Sequence, residues 1–338
     1  MGFLTAPDEK FLLVNTAYYF DSDGEDKAFN NGNFELETSS SWLYGGGKGY
    51  DISSGDLAWS YGKGHLDNQR ISVSAWAQHR SFHQGWIYLS RRFDGTDKYL
   101  TRSFEGQRGP LMDRPGLSSA SAGFTSDWRQ PLSLQVQYEV YGGEGADGRS
   151  ADVSLRWNQN QHLHHSLGFG WRHSVNNAQW MTNVANDASQ SGVTGIGGVD
   201  YVFGKLEQVT WDMTLRTSIL FDRDQSLQIY LQPFLTYGDY SDPRWLAAPD
   251  SYELRPYDLA ASDFDFNFAA LNLNLVYRWE YRPGSTLFLV WTHSKDHYEE
   301  RRYAANPAGW ENDFRLGDLT DGEPENTFLA KLSYWFSI

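Results

Sequence analysis

Four arginines and four carboxylates recur on the polar positions of a two-residue alternation: Arg80, Arg156, Arg172 and Arg216 with Glu37, Glu139, Asp152 and Asp212. Both signs of charge on one wet surface can orient a polar solute, because a guanidinium forms bidentate hydrogen bonds with anionic oxygens. Paired with one another instead, the same residues would form a salt-bridge ladder that stiffens and fills a narrow barrel. Both readings stay open. The expected lumen and solute-binding positions are Arg80, Glu139, Asp152, Arg156, Arg172, Asp212 and Arg216.

Other chemistries find weaker footing. His162, His164 and His165 place two imidazoles two residues apart on one strand face, a spacing able to chelate zinc, copper or nickel. No carboxylate at fixed spacing completes such a site, and solvated histidines beside a turn explain the cluster equally well, so no metal is expected. The run Asp21-Ser22-Asp23-Gly24-Glu25-Asp26 has a calcium-loop flavour but lacks the spaced ligands and distant Glu of an EF-hand. Gly45-Gly46-Gly47-Lys48-Gly49 lacks the form of a phosphate-binding loop and a helix to follow it. No G-x-S-x-G elbow occurs, and none of the 43 carboxylates declares itself half of an acid–base pair. The absence of cysteine removes thiol nucleophiles, iron–sulfur clusters and Cys-ligated zinc. No catalytic residue and no cofactor are expected.

The elements that must position these side chains are strands. Leu132, Leu134, Val136, Tyr138 and Val140 alternate with Ser133, Gln135, Gln137, Glu139 and Tyr141. Val153, Leu155 and Trp157 alternate likewise with Asp152, Ser154 and Arg156, and Val209, Trp211, Met213 and Leu215 with Thr210, Asp212, Thr214 and Arg216. A period of two with one greasy and one wet face belongs to a half-exposed strand. No window holds a helical period over several turns. The longest apolar run, Leu287–Trp291, is far short of the ~20 residues of a membrane-spanning helix. The residues from Met1 to Lys10 show no basic stretch before an apolar one, hence no secretory signal within the chain.

Length, charge and aromatic content narrow the class. The 338 residues carry 43 acidic and 28 basic side chains, a net charge of -15, which excludes a polybasic nucleic-acid binder. Aromatics make up 16 % of a chain whose mean hydropathy is -0.59. Short turns at 45–47, 83–85, 129–130, 158–161, 222–224 and 282–284 are expected to alternate with an irregular stretch at 175–197 and longer loops at 21–32, 62–68, 95–116, 142–148, 239–263 and 295–325. This rhythm predicts an all-β, antiparallel up-and-down transmembrane β-barrel of about 14 strands, both termini on the short-turn side. The segments 21–32, 142–149, 239–263 and 295–326 hold 21 acidic and 8 basic residues, so -13 of the net charge falls in loops. Acidic outer loops either bind divalent cations that bridge lipopolysaccharide or serve solvation alone. Tyr18, Tyr19, Phe20, Trp42, Tyr44, Trp59, Tyr61, Tyr237, Trp279 and Tyr281 fall at expected strand ends, as an aromatic girdle requires. In a soluble β protein these rings would instead sit at strand centres beneath a second sheet.

The last strand carries the most specific local pattern. Phe328, Ala330, Leu332, Tyr334, Phe336 and Ile338 fall on one face, opposite Thr327, Lys331, Ser333 and Ser337. It resembles the C-terminal signal read by outer-membrane assembly machinery, with Ile338 where Phe or Trp is usual. The stretches Leu227–Phe234, Gly238–Asp242, Arg278–Leu287 and Glu325–Phe336, with Met1–Leu4 and Gly109–Gly116, resemble a bacterial family of uncharacterised function. Its members join an N-terminal domain like family 9 carbohydrate-binding modules to a C-terminal outer-membrane barrel. The resemblance implies that residues 1–338 are one barrel domain from the C-terminal portion of a longer protein, without the sugar-binding-like domain and the first barrel strands. It also implies that Met1 is internal, and two alternatives stay open: about 14 strands closing alone, or a larger barrel completed by strands absent here. The expected location is the bacterial outer membrane, with lipid, lipopolysaccharide and the assembly machinery as partners and no nucleic acid. Three functions follow: a pore, receptor or anchor for polar solutes, with a glycan implied by the resemblance; a scaffold binding through its long acidic loops; or a hydrolase at the rim.

Overall fold

The computed structural model describes residues 9–21, 28–43, 65–104, 109–185, 196–304 and 316–336. Its strands are β1 (Glu9–Asp21), β2 (Phe29–Leu43), β3 (His65–His79), β4 (Gln84–Arg92), β5 (Gly95–Asp97), β6 (Met112–Arg114), β7 (Leu117–Thr125) and β8 (Leu132–Gly143), followed by β9 (Ala146–Asn160), β10 (Leu163–Ala185), β11 (Val199–Leu220) and β12 (Gln225–Leu246). The chain finishes with β13 (Leu254–Pro256), β14 (Phe266–Arg282), β15 (Ser285–Glu300) and β16 (Glu325–Ser333). One antiparallel sheet of 14 strands takes β1-β2-β3-β4-β7-β8-β9-β10-β11-β12-β14-β15-β16 in chain order, with β13 added to β12. β5 and β6 form a separate ribbon. The all-β, antiparallel expectation therefore holds. The described sheet is not closed: β1 pairs only with β2, and β16 only with β15.

Register turns the sequence alternation into two faces, because residues opposite one another in an antiparallel pair share a side. Phe124, Val136 and Val153 lie in one such row, and Val153 continues through Phe169 to Met213, Pro233 being excluded from pairing there. Ile87, Leu89, Tyr138 and Val140, all on this apolar side, are 45–50 % exposed. No second sheet covers them among the described residues. The stacked-sheet alternative is thereby removed, since it requires those side chains to be buried between layers.

Connections divide by rim. Residues 80–83, 126–131, 161–162, 221–224 and 283–284 join strands at one rim, while 93–116, 186–198, 247–265 and 301–324 join them at the other. β2 pairs directly with β3, and the expected turn at 45–47, with part of each of the expected loops at 21–32 and 62–68, lies outside the described residues. Two expectations are corrected. The acidic stretch 142–148 is a tight turn at Glu144-Gly145, because β8 and β9 run on to Gly143 and from Ala146. Finally, β1 begins at the long-connection rim, where Glu9 faces Leu43, whereas β16 ends at the opposite rim. An odd number of long strands on the path produces that result.

Among the described residues, the cluster of buried apolar side chains lies at the long-connection rim. There β10 to β12 run past the tight β8–β9 turn, and register shifts at Asn176/Gln179, Trp180/Thr182 and Phe203/Lys205 mark bulges, which bend strands and sharpen their twist. The connection 93–116 packs against these upper ends. Its Met112, fully buried, joins Ala178, Val199, Tyr201, Phe203 and Leu246 in one cluster. Main-chain bonds from Asp113 N to Ser251 O (3.0 Å) and from Asp250 N to Leu111 O (2.9 Å) fasten it to the segment after β12. Within the connection, Thr101 donates to the Pro110 carbonyl and Arg114 pairs with Asp97 at 3.0 Å.

Candidate solute-binding face

The polar face is built in rows. Gln137, Asp152, Gly170 and Asp212 lie side by side across β8 to β11, and Glu139, Ser150, Arg172 and Thr210 form the next row toward the long connections. Two rows the other way come Ser133, Arg156, Ser166, Arg216 and Tyr230. Acidic and basic bands therefore follow one another along the strand axis. Asp152 and Asp212 stand two strand spacings apart, about 10 Å between main chains. Gly170 lies between them: a Cβ there would come 2.4 Å from Asp212 Oδ1, the movable end of that side chain. Gly168 and Gly170 floor a cavity of 210 Å³ walled by Gln135, Gln137, Asp152 and Asp212.

Six of the seven expected solute-binding residues, Glu139, Asp152, Arg156, Arg172, Asp212 and Arg216, are thus brought onto one face. Arg80 is not among them: it lies in the β3–β4 turn, where its N–H donates to Ala28 O. Among the described residues, no ion pair within 4.0 Å joins any of the six to another. Arg156 donates to the Trp128 carbonyl at 2.6 Å, and Arg216 lies over the Tyr230 ring at 5.0 Å. Asp152, Arg156, Arg172, Asp212 and Arg216 remain exposed. Bands of charge that do not neutralise each other by contact stay available to solutes and ions.

A second cavity, 460 Å³, opens where the polar face meets the long-connection rim. Phe266 pairs with Glu300 and Gly238, and Tyr240 with Leu206, so all belong to the same side as Asp212. Tyr298 donates to Glu300 at 2.8 Å, and Arg302 Nε donates to the other Glu300 oxygen at 2.7 Å. The Arg302 guanidinium lies over Phe264 at 4.8 Å. From the connection 93–116, Arg102 lies over Trp180 at 4.7 Å while its carbonyl accepts from Asn183. Asp265, just ahead of β14, fixes Tyr240 by accepting from its N–H at 2.6 Å. Burial pushes the Asp265 carboxyl above the ordinary range, against the opposing pull of that bond and of Arg301.

Sequence reading missed this pocket, because its five aromatic rings come from four separate segments, at Trp180, Tyr240, Phe264 with Phe266, and Tyr298. The three histidines disperse: Nδ1 of His162 meets Leu220 O, that of His164 meets Asn158 Oδ1, and that of His165 meets Thr217 Oγ1. Of the C-terminal pattern, Phe328 and Leu332 lie in β16 opposite Trp291 and Leu287, with the Phe328 and Trp291 rings stacked at 5.9 Å. Tyr334 and Phe336 lie beyond the strand end, stacked on each other at 6.4 Å. Ile338, the Asp21–Asp26 run beyond Asp21, Gly45–Gly49, Tyr44, Trp59 and Tyr61 lie outside the described residues.

Tyr18 and Phe20 lie on the apolar face with Phe34, and Tyr19 on the other, donating to Glu35 at 3.2 Å. No helix among the described residues is long and apolar enough to cross a membrane, which leaves strands unaddressed. One family model, described as a domain of unknown function (DUF5916), matches residues 50–337. No curated protein matches the chain.

Proposed function

Because the chain belongs to the DUF5916 family, whose description assigns no activity, we propose its function from geometry: the sheet is the wall of an outer-membrane β-barrel whose polar face lines a lumen for polar solutes. The observation that carries this reading is the apolar face, exposed from strand to strand, behind a polar face of opposite phase. Uncovered side chains such as Ile87 and Leu89 are costly in water, at about 25 cal/mol per Å² of apolar surface, and a lipid bilayer removes that cost. Contiguous apolar patches far larger than a few hundred Å² mark membrane or partner surfaces. The edges of β1 and β16 support closure with each other or with further strands, since an unpaired edge within lipid leaves backbone groups unsatisfied. In this reading Phe328 and Leu332 of β16 face lipid and are met by the assembly machinery, and the long-connection rim faces lipopolysaccharide.

The purified full chain, reconstituted in planar bilayers, is expected to give stepwise ionic conductance. A chain that is monodisperse in detergent-free buffer and silent in bilayers would overturn the proposal.

A further inference from the structure

We infer that the cavity between Arg102 and Glu300 binds a carboxylate-bearing saccharide, a uronate-type sugar; this rests on the solute-binding reading above and names its substrate class. Three features select that chemistry. Trp180, Phe264 and Phe266 present rings at the cavity, and aromatic faces suit the flat C–H faces of sugars. Glu300, Arg302 and Gln179 line the same space with acceptors and donors, which read ring hydroxyls and would be left unmatched by a purely aromatic acid. The charge is the third. Glu300 is already engaged by Arg302 and Tyr298, whereas among the described residues the Arg102 guanidinium meets the Trp180 indole and no carboxylate. A guanidinium held over a ring keeps its in-plane donors free for a bidentate carboxylate. In a chain of net charge -15, a locally cationic pocket is set against its surroundings and favours an anionic guest.

The cavity volume of 460 Å³ falls in the ordinary range for small-ligand sites. The neighbouring 210 Å³ cavity carries Asp152 and Asp212 without a cation, so it repels the same guest.

The test is calorimetric titration of the full chain in detergent micelles with trigalacturonate, neutral galactotriose and benzoate. Trigalacturonate is expected to bind at least about tenfold more tightly than either of the others. Arg102→Ala is expected to weaken it by about tenfold or more, and Arg102→Lys, which keeps the charge but not the fork, by less. Arg223→Ala removes the same charge from the opposite rim, where that side chain is 93 % exposed, and should change nothing. Equal binding of trigalacturonate and galactotriose, benzoate binding as tightly as trigalacturonate, or an unaltered Arg102→Ala, overturns the inference. Conductance in bilayers without trigalacturonate binding removes this inference and leaves the pore; binding in micelles without conductance does the reverse.

Discussion

Two regions of one strand behave in opposite ways. Along β11 the alternate residues Trp211, Met213 and Leu215 stay half exposed, whereas Tyr201 and Phe203, in the same phase nearer the long-connection rim, are buried. The two-residue spacing of these rings and side chains is the same in both, although at the rim Val202 on the alternate phase is buried as well. What differs is the cover: the connection 93–116 supplies Met112 at one end, and nothing among the described residues covers the middle. The alternation therefore does not decide whether a greasy side chain meets protein or solvent. In the proposed reading the middle meets lipid, so the two regions should respond differently to the same kind of damage.

The largest expected effect is at the rim. Phe203→Ala, removing a fully buried ring, should cost about 3–5 kcal/mol, read as faster amide exchange in 93–116 and in the upper ends of β10 to β12. Equal acceleration in mid-sheet strands would erase the contrast between the regions. Next comes Leu134→Arg on the exposed apolar face, which in lipid should cost about 2–4 kcal/mol near the midplane and lower the yield of folded protein in vesicles. Its neighbour Gln135→Arg, on the polar face, should fold normally and shift ion selectivity; equal damage from both would mean the faces are misassigned. Gly170→Ala should be milder, about 1–3 kcal/mol for forced overpacking, because its Cβ meets only the movable carboxylate of Asp212. Reversal potentials should change as Asp212 is displaced.

The smallest effect is expected at the short-turn rim. Asp127 accepts from Arg129 Nε at 2.9 Å and from Gln130. The Arg129 hydrogen bonds hold its carboxyl well below its ordinary value of 3.8. A depressed carboxylate adds stability above that ordinary value and loses it as pH falls through the lowered one. Wild type and Asp127→Asn should therefore differ by a constant small amount from pH 5 to 8. Acid titration of thermal unfolding should bring the two together only well below pH 3.8. Convergence near neutrality would sink the assignment.

Much of the fold was legible. The two-residue alternation placed β8, β9, the first half of β10, β11 and β16, because each side chain's phase is fixed by backbone pleat and needs no knowledge of partners. It also put Asp152, Arg156, Arg172, Asp212 and Arg216 on one side. It did not find β13 or the ends of β12 and β15, which run into the expected loops at 239–263 and 295–325. Failures fell where length and charge stood in for geometry. The polar composition of 142–148 suggested a loop, yet β8 and β9 pair almost to the turn. Arg80 sits where the strand has already ended.

The sequence by itself determined the all-β class, the greasy and wet faces and the charge bands, all local consequences of residue type and pleat. Only the tertiary structure decided that Glu139, Asp152, Arg156, Arg172, Asp212 and Arg216 form no ion pair with one another among the described residues, that the described sheet is open, and that Arg102 comes to rest beside Trp180. Those depend on contacts between different strands and connections, 14 positions apart for Arg216 and Tyr230 and 78 for Arg102 and Trp180, for which a one-dimensional period carries no signal.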